Sequence, residues 1–454
     1  MDRYGLVFRE VLFPAWERGV RRRPILELAE RLARSQWWSD GELRSFQGSE
    51  LRKLLEHAFQ HSPYYRKVML AADVRPQDVS GVDALPLLPL LDRPTAASSF
   101  LERFSDAPPR VEIQKMTSGS SGRPLEIAYD RTSEHWRQAT RLRGYAWAGY
   151  LPGDKSLHFW GSLAALFGQR PLSRVKSALD HALKREHFID CTDRSPRALE
   201  AVARAVESLG PTVIVCYAQA GAALARHWLA SGRSRRDTTV ICGAERLFSA
   251  DRAAIVQAFG SAVFETYGSR EVMLMAAECE AHDGLHVSME NLIVELVVRG
   301  EGRQRPARPG EVGEVVVTDL HNFGAPFIRY LTGDLAVRMP PGRCGCGRGL
   351  ERLSSIEGRK TETLHDGAGR PVSGLFFNVL FSVMADRVRQ FQVVQRADRT
   401  IDLFVVPGLM SAASAQVRAA CERFLPGIPL RIHQCSSLSP GPGGKLSVVR
   451  VEGA

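Results

Sequence analysis

Apolar positions along this chain recur with two different periods. In residues 40–62, DGELRSFQGSELRKLLEHAFQHS, Leu51, Leu54, Leu55 and Phe59 fall three or four apart, which predicts a helix. From about residue 197 the texture alternates. RALEAVARAVESLG reads as a helix stopped by Gly210, PTVIVCY as a buried strand and AQAGAALARHWLASG as a helix. TTVICGAE then reads as a strand, SADRAAIVQAFG as a helix and AVFETYG as a strand. Strand–helix alternation of this length predicts a parallel sheet in an α/β domain. Before it, VDALPLLPLLDRP reads as a proline-punctuated connector. From about residue 290, LIVELVV and GEVVVTDL are β-rich and hairpin-like. After about residue 357 a smaller α+β unit follows: two strands around a polar turn (FQVVQRADRTIDLFVVP), a helix (SAASAQVRAACERFL) and a strand (PLRIHQCS).

Composition narrows the class. The 454 residues are enough for a large domain and a smaller one. No apolar run approaches the roughly 18–20 residues of a membrane span. The N-terminal MDRYGLVFREVLFPAWERGVRRRP carries charges inside its apolar part, unlike a signal peptide; it reads as an amphipathic surface helix or, in preference, as a segment packed on the body. Eight cysteines in a chain of this length read as a reduced, cytoplasmic protein rather than a disulfide scaffold. The formal charge is +10, but the basic residues are dispersed, so a phosphate-rich small substrate is favoured over nucleic acid. Only eight of the 60 basic residues are lysine, so a lysine in a special context is informative.

One stretch departs from the apolar texture. In KMTSGSSGRPLEI, residues 115–127, Thr117, Ser118, Gly119, Ser120, Ser121 and Gly122 are all small. Such a run is commonly a surface turn. It is also what a phosphate cradle requires, because backbone N–H groups must approach the anion closely. The spacing is not that of the common P-loop, since Arg123-Pro124 follows Gly122. ETYGSREV (265–272) follows a predicted strand, where open parallel sheets bind ligands. RYLTGDLAVR (329–338) holds Thr-Gly-Asp, IEGRKTETL places Arg359 beyond it, and GPGGKLSVV sets Lys445 on a glycine-rich loop.

In this order, these segments resemble the adenylate-forming superfamily, and most closely its phenylacetate–CoA ligase-like branch. LRKLLEHAFQHSPYYRK, CGCGRGLERL and FQVVQ carry the likeness to that branch, which spans about residues 37–450. The resemblance implies an N-terminal ATP- and acid-binding domain (1–357), with a parallel-sheet core and a β-rich subdomain, and a small mobile C-terminal domain (358–454). It implies that Thr117 to Gly122 wrap the β- and γ-phosphates of ATP, and that Tyr267, within Glu265-Thr266-Tyr267-Gly268, stacks on adenine. Gly243, Ala244 and Glu245 would line the base and acid pocket, Glu271 would hold Mg²⁺, Asp334 the ribose and Arg359 ribose or phosphate. Lys445 would bring a cation to the α-phosphate. The implied reaction is activation of a small carboxylic acid, aromatic acids included, as an acyl-adenylate, then transfer to coenzyme A with release of AMP and pyrophosphate. Amine, hydroxyl or carrier-protein thiol acceptors stay open, because Thr361-Glu362 and LHDGAGRPVS depart from the CoA-forming pattern. An idle nucleotide-binding protein is the remote alternative, and a homodimer is compatible with the sequence.

Cysteine and histidine add a further expectation. Cys279, His286, Cys344 and Cys346 offer a thiolate–imidazole set of the kind that selects structural Zn²⁺, with His282 competing for the place of His286. The alternative is ordinary buried cysteines and surface histidines. HFWGSLAALFG (158–168) offers Phe159, Trp160, Leu163 and Phe167 as an apolar pocket wall or as core.

Overall fold

The computed structural model describes residues 2–116, 125–161, 171–191, 193–300, 303–359, 363–367, 390–406, 411–438 and 448–452, with residues 369, 371–373, 377, 381 and 388. Thr117 to Gly122, Leu163, Phe167 and Lys445 therefore lie outside the described residues, as does the side chain of Arg359.

The helix predicted over 40–62 runs Asp40–His61. Its start is fixed by a capping box, in which Ser39 and Glu42 satisfy each other's backbone N–H groups. The N-terminal segment is helical and lies on the body: Phe8 is buried, and Arg9 pairs with Asp154 at 2.8 Å. The proline-rich connector begins as a short 3₁₀ turn, Val82–Leu87, and runs into the helix Arg93–Ser98. Strands β1 (Ile113–Met116) and β2 (Glu126–Tyr129) pair antiparallel with Met116 opposite Glu126, so they meet at the two ends of the Ser/Thr/Gly stretch.

The alternation from residue 197 is realised as read. Helix Pro196–Leu209 ends at Gly210 in the left-handed conformation (φ 56°), and helices Ala218–Ala230 and Ser249–Phe259 follow their strands. Strands β3 (Ser156–Phe159), β4 (Glu186–Ile189), β5 (Val213–Tyr217), β6 (Thr239–Gly243) and β7 (Val263–Ser269) are parallel, in the order β4-β3-β5-β6-β7. Every residue of β5 is buried, as expected for a strand covered on both faces.

The β-rich run does not form a sheet of its own. Strand β8 (Met273–Glu278) turns back antiparallel on β7, with Tyr267 opposite Ala276. Strands β9 (Leu285–Val287), β10 (Leu292–Gly300), β11 (Arg303–Pro306), β12 (Val312–Asp319), β13 (Tyr330–Arg338) and β14 (Arg352–Arg359) extend the same surface. Among the described residues this makes one twelve-stranded sheet, ordered β11-β10-β12-β13-β14-β9-β8-β7-β6-β5-β3-β4. Apolar alternation reports which face is buried, not which strand is the neighbour, and so the junction at β7–β8 is absent from the sequence pattern.

The C-terminal unit carries the strand pair β15 (Thr363–His365) and β16 (Pro371–Ser373). It also has a four-stranded sheet of β17 (Gln390–Gln395), β18 (Ile401–Val406), β19 (Leu430–Gln434) and β20 (Val449–Val451), ordered β19-β18-β17-β20. Its own core gathers Phe377, Phe381, Phe391, Leu403 and Val417. It touches the larger part through Phe248 against Phe391, with ring centroids 6.0 Å apart, and through Gln390, whose amide donates to Gln219 Oε1 at 2.7 Å.

Candidate active site and metal centre

The motif residues gather where the parallel strands end and the antiparallel ones begin. The Tyr267 hydroxyl donates to Asp334 Oδ2 at 2.9 Å, and both residues are buried. Asp334 sits on β13 after Gly333, whose φ of 80° makes the Thr-Gly-Asp turn. The Asp334 N–H donates to Thr332 Oγ1 at 3.1 Å. Asp334 is also the registered partner of Arg359 on β14. Residues 267, 334 and 359, far apart in sequence, are thus brought to one place. On the same strand, Glu357 accepts from Arg246 at 2.6 Å, which ties β14 to the segment after β6.

That segment, Gly243-Ala244-Glu245, forms a tight turn. Ala244 takes a left-handed φ of 64°, a conformation that costs a non-glycine residue free energy and is held by its surroundings. A Cβ on Gly243 would lie 2.6 Å from Thr266 Oγ1, and Thr266 is itself fixed by donating to the Cys242 carbonyl at 2.9 Å. Glu245 accepts the backbone N–H of Gln219 at the start of the helix after β5, at 3.0 Å, and faces Arg194 at 3.4 Å. A carboxylate at a helix N-terminus is stabilised by the orphan N–H groups there. Trp160 stands over this turn and meets Tyr217 edge to face at 4.6 Å. Of the proposed apolar wall, Phe159 is fully buried core and Trp160 is the residue beside the turn.

Glu271 is 5 % exposed and has Arg93 Nη1 3.5 Å from its carboxylate. Its carboxylate oxygens are the donor type a hard divalent ion takes, with the Arg93 guanidinium as the cation beside them in this structure. Sequence reading missed Arg93, because one arginine among 52 carries no signal. Glu265 is the most perturbed acid of the group. Burial, reinforced by the nearby Glu278 charge, pushes its carboxyl up to about 7. Glu278, also missed, accepts the Glu265 N–H at 2.6 Å and two bonds from Arg252, at 2.8 and 2.9 Å.

The cysteine–histidine set also assembles. One donor atom from each of Cys279, His286, Cys344 and Cys346 lies within 4.8 Å of all the others. Cys279 and Cys344 Sγ are 3.6 Å apart, and Cys346 Sγ is 3.3 Å from His286 Nε2. Metal–sulfur and metal–nitrogen bonds of about 2.3 and 2.0 Å give tetrahedral edges of roughly 3.5–3.8 Å, close to these separations. His286 Nδ1 donates to the Leu350 carbonyl at 3.2 Å, which leaves Nε2 as the lone-pair nitrogen facing the thiols. Burial pushes the His286 imidazolium down to about 4, so the ring is neutral at pH 7. His282 belongs elsewhere: it faces Glu278 at 3.6 Å and packs on Phe264. The reading of surface histidines is corrected for His286, which is fully buried.

No family model matches the chain. The phenylacetate–coenzyme A ligase of Thermus thermophilus is 25% identical over 376 residues, covering 80% of each chain. That of Escherichia coli is 26% identical over 343 residues, covering 71% of this chain and 72% of its own. Among solved structures, 2-hydroxyisobutyryl-CoA ligase in its postadenylation state with an acyl-AMP superposes with a TM-score of 0.69 over 92% of this chain and 91% of its own, at 16% identity. The chain is thus similar in sequence, over 71–80% of its length, to phenylacetate–CoA ligases, and in fold to adenylate-forming enzymes. The large mixed sheet and the separate small sheet are the fold of these enzymes. Among the described residues, no helix is long and apolar enough to cross a membrane.

Proposed function

We propose that this protein activates a small carboxylic acid with ATP as the acyl-adenylate and passes the acyl group to the thiol of coenzyme A. The observation that carries the reading is the meeting of Tyr267, Asp334 and β14 at Arg359, which places a buried carboxylate beside an aromatic ring at the end of a parallel strand. In the first step a carboxylate oxygen of the acid attacks the α-phosphorus. The bond to the bridging oxygen breaks and pyrophosphate leaves. In the second, the thiol sulfur attacks the acyl carbon and AMP leaves with the carboxylate oxygen. Both steps place charge on phosphate oxygens, so the protein contributes position and electrostatic stabilisation.

In this reading Asp334 accepts the ribose hydroxyls and Tyr267 offers its ring to the adenine. Thr266, Gly268 and Gly243 to Glu245 shape the pocket, with Trp160 and Tyr217 on the acid side. Arg359 and Lys445 supply cations, and Thr117 to Gly122 hold the terminal phosphates. Glu271 would hold Mg²⁺, which neutralises triphosphate charge when bound. Cys279, His286, Cys344 and Cys346 would hold a structural Zn²⁺, all four ligands coming from the protein. The test is pyrophosphate exchange across a panel of carboxylic acids with Mg²⁺, followed by CoA-dependent AMP release. Exchange with CoA-stimulated release is expected. Exchange with release driven only by an amine, hydroxyl or carrier thiol would change the acceptor, and no exchange with any acid would reject the ligase.

A further inference from the structure

The four metal-type ligands are not clustered on one loop. Cys279 directly follows the last residue of β8, His286 lies on β9, and Cys344 and Cys346 precede β14. These strands are weakly joined by their own ladders. Strand β9 has three residues, and β14 meets it at only two pairs, Arg352 with His286 and Leu353 with Leu285. On its other side, β14 meets β13 with two register shifts before it reaches Asp334 and Arg359. The loop from 344 to 351 is packed in detail. The Gly347 N–H donates to the Cys344 carbonyl at 2.9 Å and the Arg348 N–H to Cys346 Sγ at 3.4 Å. The Arg348 side chain lies over both Trp37 and Trp147, about 5 Å from each ring. A Cβ on Gly349 would fall 1.8 Å from the Trp38 carbonyl oxygen, so the backbone there has no latitude.

Two short paths lead from this cluster to the residues proposed for the nucleotide. The first passes from Cys279 to its neighbour Glu278, whose carboxylate holds the Glu265 N–H beside Thr266-Tyr267. The second runs along β14 to Glu357, held by Arg246, and to Arg359 opposite Asp334, which accepts from Tyr267. The paths close on each other at the Tyr267–Asp334 hydrogen bond.

We propose that zinc at Cys279, His286, Cys344 and Cys346 is a clamp on the nucleotide half of the site, so that metal occupancy and AMP binding are thermodynamically coupled. This rests on the zinc reading above. The cluster touches no substrate; its residues are positioning residues, acting through β8 and β14. Coupling between two sites of one protein is reciprocal, and about tenfold is a usual size.

The test uses the full chain. Zinc content after purification without added metal is measured first; about one per chain is expected, and a metal-free, fully stable protein would reject the zinc reading and the clamp with it. AMP affinity is then measured by calorimetry with zinc present and after chelation. About tenfold weaker binding is expected without metal, with faster amide hydrogen exchange in residues 352–359. If the stripped chain does not stay folded, the reciprocal measurement needs only the native protein: saturating AMP should raise the concentration of a competing chelator that withdraws half the zinc, by about the same factor. His286→Cys, which offers four thiolates, should restore both zinc and AMP affinity where His286→Ala loses both. Stoichiometric zinc whose retention is indifferent to AMP would overturn the clamp while leaving the ligase and the zinc site standing.

Discussion

Replacing Tyr267 by phenylalanine removes one oxygen and leaves the ring in place. The lost atom donates to a buried carboxylate at 2.9 Å, and hydrogen bonds to charged partners contribute about 1.5–3 kcal/mol. The Thr-Gly-Asp turn does not depend on it, because the Asp334 N–H is held separately by Thr332 Oγ1. The variant should therefore fold, with the Asp334 carboxylate losing one of the contacts that hold it toward the ribose. If the whole contribution is expressed in nucleotide binding, AMP affinity falls by roughly 10- to 100-fold at 1.4 kcal/mol per decade. Calorimetry with AMP and the ATP dependence of pyrophosphate exchange both read this, and a larger effect on the ATP KM than on kcat is expected. Tyr267→Ala, which also loses the ring, should be worse. A Tyr267→Phe enzyme with unchanged AMP affinity, beside an Asp334→Ala enzyme that binds no nucleotide, would refute the pinning role of the hydroxyl.

Three further outcomes are expected. The Glu265 carboxyl titrates near 7 when folded and near 4.5 when unfolded, so the native chain holds the extra proton between these values and stability falls as pH rises through that window. The decline is at most roughly 3 kcal/mol, trimmed by the 14 % of the side chain left in solvent; urea unfolding from pH 4.5 to 8 should show it, and Glu265→Gln should flatten it. Gly243→Ala sets a Cβ against Thr266 Oγ1 and should cost about 1–3 kcal/mol in urea unfolding, largely recovered by adding Thr266→Ala; no loss in the single variant would contradict the close approach. Lys445→Ala should slow adenylate formation by about two orders of magnitude or more yet spare thioester formation from synthetic acyl-adenylate, and equal loss in both would point to a damaged domain.

Much of the fold was legible where local signals agree with tertiary need. The helix Asp40–His61 announced itself through leucine spacing, and Gly210 marked a helix end because its backbone turns left-handed there. The meeting of Cys279, His286, Cys344 and Cys346 was legible from residue type, since cysteine and histidine are few. The choice between His282 and His286 was not, because a window of nine residues does not say which side chain points inward. Contacts such as Arg93 with Glu271, or Glu278 with the Glu265 N–H, depend on strand neighbours that no local pattern encodes. Trp160 and Phe159 read alike in sequence, yet Phe159 is wholly buried at the end of β3 whereas Trp160, just past it, is partly exposed beside Tyr217.

The single sheet that changes direction at β7–β8 has a consequence for how this protein could diversify. If Trp160 and Tyr217 touch the acid and Asp334 the ribose, the two duties lie on opposite sides of one strand, the acid side on β3, β5 and β6 and the nucleotide side on β13 and β14. Substitutions can then retune which acid is accepted while the machinery common to every acid stays untouched. The end of β7, with Thr266 and Tyr267 in adjacent positions, and the turn from Gly243 to Glu245 packed on it serve both, and they should tolerate the least change. A library varied at Trp160 and Tyr217 should yield altered acid preference at constant ATP affinity, whereas one varied at Thr266 should disturb both together.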